Sequence, residues 1–219
     1  MKRWLSVFIF FIIWGGSQPS ALAQNSKWHQ FFHLEGPERR WVVFHVFKAG
    51  RAFRISQEAL HLTDSLAHDT LLDGDLHDGQ VDAFRHTYWM ARLTQTIGWR
   101  AAKSLGKAHE RANYKQFKKG LRHEENALPD KPSSDMDFYN NDAGIQLGLD
   151  NPDISPDSLQ QIVIEKILAG ELMILKKDTQ GHYLDKNNRP IPSEQCRQWE
   201  TPKVLVPSNF KRPVAKTKK

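Results

Sequence analysis

Apolar residues recur at helical spacing through most of the chain, and polar, Gly- or Pro-rich stretches interrupt them. Pro37, suited to a first helical turn, precedes Trp41, Val42, Phe44, His45, Val46 and Phe47, which predicts a helix ending near Gly50. A second helix is expected over Ile55–Leu66, with Ala59, Leu62 and Leu66 on one face. His68–Gln80 is rich in Asp and Gly and reads as a loop. A third helix runs from Val81 to Ile97 and stops at Gly98, and a fourth covers Trp99–Phe117. A polar loop with Pro129, Pro132, Ser133 and Ser134 leads to a fifth helix, Met136–Leu147, closing at Gly148. Ser155-Pro156-Asp157 supplies an N-cap, an N1 proline and an early acid for a sixth, which carries Ile162, Ile164, Ile167, Leu168, Leu172 and Ile174. Gly181-His182-Tyr183-Leu184 and the Asn187-Asn188 turn suggest a hairpin. The expected class is mainly α: a compact bundle of about six helices with a small C-terminal β-hairpin. Residues 24–195 form one helical domain, and 196–219 form an irregular basic tail.

The first residues follow a different pattern. Lys2 and Arg3 precede an apolar run from Trp4 to Trp14, then Gly15, Gly16 and Pro19 break it, and Ala21-Leu22-Ala23 places small residues where a signal peptidase reads. A bilayer span needs roughly 20 apolar residues, so the run is too short for an anchor. No cysteine lies nearby to carry a lipid. A cleavable signal at 1–23 is expected, with Gln24 first in the mature chain, making the protein periplasmic or secreted.

Charge changes the picture less than its total suggests. The formal net charge is +6, but Lys2 and Arg3 lie in the signal, and Lys211, Arg212, Lys216, Lys218 and Lys219 lie in the tail. What remains, residues 24–210, is at −1, which argues against specific nucleic-acid binding. The Lys211–Lys219 tail could make weak contact with an anionic surface. Cys196 is the only cysteine, so no intramolecular disulfide can form, and its polar setting offers no activating partner.

Candidate chemistry sits where three helices carry polar groups on apolar faces. Asp82, His86, Trp89 and Leu93 form one stripe, with Arg85 on its edge. Ala102, Leu105, His109 and Ala112 form another, with Glu110 adjoining. In the fifth helix Asp137, Asn141, Gly144, Ile145 and Gly148 share a side, and the two glycines would let another backbone approach closely. Buried carboxylates and imidazoles are costly alone. If the helices pack together, Asp82, Arg85, His86, His109, Glu110, Asp137 and Asn141 converge on one pocket, and His77 could reach its first turn. His29, His33, His45, His61, His68, His123 and His182 share no spacing.

The strings Asp82-Ala83-Phe84-Arg85-His86-Thr87-Tyr88-Trp89, His109-Glu110 and Met136-Asp137-Phe138-Tyr139-Asn140-Asn141 resemble the signature of an uncharacterised bacterial domain family found in secreted and toxin-like proteins. The resemblance covers Leu76–Leu149 and implies that an enzymatic role is plausible, without bringing a reaction.

The residues support two readings. In the first, the protein is a hydrolase acting on an ester, phosphoester or amide of an envelope component or small molecule. Asp82, His86, His109 and Asp137 would hold a divalent metal such as zinc. Glu110 would be general base and Arg85 would clamp an anionic group. A metal-free version makes His86, oriented by Asp82, the base, with Arg85 and Asn141 stabilising negative charge. No Gly-x-Ser-x-Gly elbow, His-Glu-x-x-His or phosphate-cradling loop is present. In the second, a non-catalytic module, Asp82–Arg85, His86–Asp137 and His109–Asn141 only fix helix packing. The working surface is then the tail or the aromatics Trp28, Phe31 and Phe32.

Overall fold

The computed structural model describes residues 34–122 and 128–215, and its compact unit begins at Glu35. The expected signal at 1–23 and Trp28, Phe31 and Phe32 lie outside the described residues.

Helix α1 (Gly36–Phe44) starts on a capping box between Glu35 and Glu38, with Pro37 in its first turn. It ends at His45, whose backbone leaves the helical region (φ −124°, ψ 38°), and not at Gly50 as the pattern predicts. Helix α2 (Val46–Ala67) carries Gly50 in its interior. A glycine there costs about 1 kcal/mol against alanine, which burial of Ala52, Ile55, Ala59, Thr63 and Leu66 along the same helix outweighs.

Helix α3 (Gln80–Ile97) buries twelve of its eighteen residues, so it is the central element. Its Phe84 and Tyr88 join Leu159, Val163, Ile167 and Ile174 in one core cluster, and its Met90, Leu93 and Ile97 join Trp41, Ile55 and Ala102 in another. Gly98 at φ 84° turns the chain into α4 (Trp99–Arg122).

Helix α5 (Lys131–Asp150) begins a turn earlier than the pattern predicts. The Asp130 side chain caps it by accepting from Ser133 N–H at 3.0 Å, so Pro132, Ser133 and Ser134 form its first turn and not a loop. This helix lies directly on α3. A Cβ on Gly144 would fall 2.3 Å from Thr87 O, and one on Gly148 would fall 2.6 Å from Ala91 O. The two glycines therefore permit the contact expected of them.

Helix α6 (Pro156–Ala169) is capped by Ser155 and closed by Gly170 in the left-handed region. Leu172 and Ile174, expected in this helix, lie beyond it and are still buried. The small antiparallel sheet pairs β1 (Met173–Leu175) with β2 (Leu205–Pro207), Ile174 opposite Val206. The stretch read as a hairpin contributes two isolated bridges, Lys177 with Tyr183 and Leu184 with Pro190. The expected irregular tail thus supplies a strand, and its Arg212 pairs with Asp73 and Asp75 at 2.6 and 2.8 Å. Among the described residues no helix is long and apolar enough to cross a membrane.

Candidate functional site

The close α3–α5 contact sets Asp82 and His86 of α3 against Asp137 and Asn141 of α5, and all four are buried. His86 Nδ1 lies 3.2 Å from Asn141 Oδ1. An amide oxygen only accepts, so Nδ1 carries the proton and Nε2 keeps its lone pair. That Nε2 faces Asp137 Oδ1 at 3.2 Å and Asp82 Oδ1 at 3.5 Å, with Arg85 Nη2 at 3.4 Å beside them. Among the described residues, these three side chains bring one ligand atom each within 4.8 Å of one another. A tetrahedral ion with bonds of about 2.0–2.1 Å separates its ligand atoms by roughly 3.3 Å, so both nitrogen–oxygen distances suit a shared cation.

The electrostatics of the group point the same way. Burial, and then repulsion from Asp82, Glu110 and Asp78, pushes the Asp137 carboxyl well above the usual carboxylate range. Burial also raises Asp82 to about 6, despite Arg85 beside it. Glu110 is raised by burial too. Burial, then the nearby Arg85 charge, holds His86 well below the usual imidazole value, so it is neutral. Asp137 Oδ1, Glu110 Oε1 and Asn141 Nδ2 are buried without a hydrogen-bond partner. Asp82 Oδ1 also receives no directed hydrogen bond, although Arg85 Nη2 pairs with it at 2.5 Å. The carboxylates here outnumber the positive charges facing them.

His109 does not join the three. Its Nδ1 is taken by Glu38 of α1 at 2.9 Å, and its ring centroid is 6.2 Å from that of His86. Burial works against protonation of His109, but the Glu38 hydrogen bond and the Glu110 charge outweigh it and raise the imidazole above its usual value. The ligand atoms that cluster are those of Asp82, His86 and Asp137 alone among the described residues, without His109 of the expected set. The expected His109–Asn141 pair does not form, because Glu38 takes His109 and His86 takes Asn141, whereas Asp82–Arg85 and His86–Asp137 do.

Beside the group lies a cavity of about 520 Å³, lined among others by Asp82, Arg85, His86, His109 and Asp137. His77 lines it as well. Glu110 and Asn141 are not among its lining residues. Asn141 acts on His86, and Glu110 Oε2 accepts from Asn113 at 3.3 Å.

Several residues of the cavity carry no mark in the sequence pattern. Asp78, at φ 63°, donates its N–H to Asp82 Oδ2 at 2.6 Å and accepts from Tyr183 O–H at 2.5 Å. This fixes one oxygen of Asp82 and turns the other toward His86. Lys203 Nζ lies 2.6 Å from Asp130 and 3.8 Å above the Tyr183 ring. Tyr183 reads in the sequence only as part of a hairpin, and Lys203 lies in the stretch read as an irregular tail, so neither is marked as a cavity residue. Asp78 alone has a local signal, an acid directly before the helix that bears Asp82.

Fold and site thus define a mainly α domain built around a buried Asp/His/Asp group at a cavity. Residues 39–171 match the model of a domain of unknown function (DUF6973), and the chain belongs to that family. The match takes in every helix from α2 to α6 and all of the residues of the group. No solved structure matches the chain.

Proposed function

We propose that this chain is an exported, metal-dependent hydrolase in which Asp82, His86 and Asp137 hold one divalent cation such as zinc. The observation that carries the reading is the lone pair of His86 Nε2 facing buried oxygens of two carboxylates, of which Asp137 Oδ1 has no hydrogen-bond partner and Asp82 Oδ1 has only Arg85 beside it. A network serving only to fix helix register would give Asp137 Oδ1 a donor as Arg85 gives one to Asp82, because an unmet buried carboxylate destabilises the fold. Burial keeps His86 neutral, the form in which Nε2 can ligate a cation. Export is supported by the basic start, short apolar run and Ala21-Leu22-Ala23 at the N-terminus.

A cation held there would lower the pKa of a coordinated water to about 7 and polarise a scissile ester, phosphoester or amide. The chain's own groups do the rest. Asn141 orients His86 through Nδ1, as outer hydrogen bonds do for ligating histidines. Arg85, about one-third exposed at the cavity, binds an anionic group of the substrate. His109, steered by Glu38, is placed to give a proton to the leaving group. Glu110 adds negative charge behind the group and so strengthens its hold on the cation. The substrate is an envelope component or a small molecule.

The test is turnover of chromogenic aryl esters, phosphomonoesters, phosphodiesters and anilides by purified protein. Hydrolysis of one class, abolished by chelation, restored by zinc and missing in a folded Asp137→Asn variant, is expected. Turnover that survives both chelation and Asp137→Asn, or no metal-dependent turnover of any class, contradicts the reading.

A further inference from the structure

The junction between α1 and α2 exposes an apolar surface that the core leaves uncovered. Phe44 and Phe47 are 77% and 91% exposed, and Val43 and Val46 flank them on either side of the His45 break. Trp41, Ala52 and Ile55 of the same two helices face inward, so the outward aromatics are surplus to packing. Single exposed apolar residues are ordinary, but four within five positions on a projecting elbow are not.

The charges around the elbow all have one sign. From Arg39 to Arg54 there are five basic residues and no acidic one. Arg39, Arg40, Arg51 and Arg54 are exposed and make no ion pair with the described residues, while Lys48 spends its ammonium on Ile97 O at 2.7 Å. The acids on either side are turned away: Glu35 pairs with Lys119, Glu38 with His109 and Glu58 with Arg92. Aromatic residues at the tip with arginines behind them are the composition of an interfacial element, whose apolar side chains enter the acyl boundary while the cations stay among anionic headgroups.

We propose that the α1–α2 elbow docks this protein on the surface of an anionic phospholipid bilayer, with Phe44 and Phe47 inserted. The elbow is the main contact because it joins exposed aromatics to unpaired arginines, whereas Arg212 of the C-terminal tail is bound by Asp73 and Asp75. This surface is independent of the metal reading and stands or falls separately.

The experiment uses the purified full chain with vesicles of about equal parts phosphatidylglycerol and phosphatidylcholine, and vesicles of phosphatidylcholine alone. An environment-sensitive dye is placed at position 47 (Phe47→Cys in a Cys196→Ser background) and, separately, at exposed Tyr139 (Tyr139→Cys) on α5. The dye at 47 should shift to the blue on anionic vesicles only, and the shift should fade with salt. The dye at 139 should not respond. Replacing Arg39, Arg40, Arg51 and Arg54 with glutamate should weaken the response at 47 by roughly tenfold or more. No response at 47, or one that ignores both lipid charge and the arginines, overturns the proposal. Two other occupants would also overturn it. A second copy would show as a dimer that Phe47→Ser dissociates, and cover by residues 24–33 would show as a dye at 47 already shielded without lipid.

Discussion

Substituting Gly144 with alanine probes the contact on which the site depends. An alanine Cβ would sit 2.3 Å from Thr87 O and 3.0 Å from Met90 Cβ, and the first is backbone that cannot swing aside. Restoring an ordinary carbon–oxygen contact of about 3.3 Å requires α5 to retreat from α3 by roughly 1 Å. Overpacking of this kind costs typically 1–3 kcal/mol, and this contact belongs at the upper end because both partners are helix backbone. Alanine in place of glycine returns about 1 kcal/mol of helix propensity. The net loss is about 2 kcal/mol, or roughly 4–8 °C in Tm for a domain of this size. Gly50→Ala is the internal control: nothing lies within 4 Å of the added Cβ in α2, so it should stabilise by about 0.5–1 kcal/mol. The same retreat would part Asp82 and His86 from Asp137, and a metal site tolerates only about ±0.2 Å, so zinc affinity should fall at least about tenfold. Thermal melts with and without zinc read both effects. Equal shifts for Gly144→Ala and Gly50→Ala, or unchanged melting and zinc affinity in Gly144→Ala, would refute the packing argument.

Three further outcomes are expected. Arg85→Ala should bind zinc at least as tightly as the wild type by titration calorimetry, since it removes a cation 2.5 Å from Asp82 Oδ1, while turnover of anionic substrates drops. Weaker zinc binding would instead make Arg85 part of the metal site's support. Asn140 clamps β1 through Met173, donating from Nδ2 to the carbonyl at 2.9 Å and accepting from N–H at 3.0 Å. Asn140→Ala should therefore cost about 2–3 kcal/mol in urea unfolding and leave zinc stoichiometry at the neighbouring Asn141 and His86 unchanged. Burial opposes ionisation of Asp75, but hydrogen bonds from Lys177 and Arg212 outweigh it and hold the carboxyl below its usual value. Its folded value is the lower one, so its stabilisation is complete above the unfolded value, near about 4, and is lost as pH falls through the folded value. Asp75→Asn should flatten the acid limb of a Tm–pH profile, and an unchanged limb would show that the pairing contributes nothing.

The helical core is legible in the sequence because its periodicity is local. Val81–Ile97 and its stop at Gly98 are read directly from apolar spacing and a glycine, and Gly144 and Gly148 announce a close approach without naming the partner. Asp82, His86 and Asp137 are visible as polar residues on apolar faces. Whether His109 joins them is not, because that depends on Glu38, seventy-one positions earlier in the chain. Boundaries fail where tertiary packing overrides local signals: Gly50 reads as a stop, yet α2 continues through it. Pro132 reads as a loop, yet a proline belongs in the first turn of a helix capped by Asp130. Tyr183 reads only as part of a hairpin and Lys203 only as tail, since long-range pairing, of β1 with β2 and of Lys177 with Tyr183, is what brings them to the cavity.

The central claim is that Asp82, His86 and Asp137 bind a divalent cation, and titration calorimetry of chelator-treated protein with zinc near neutral pH tests it most directly. The account predicts one ion per chain, proton release on binding as the raised carboxyl of Asp137 ionises, and loss of binding in a folded His86→Ala variant. No saturable binding by the folded protein, or binding that survives His86→Ala unchanged, would contradict it.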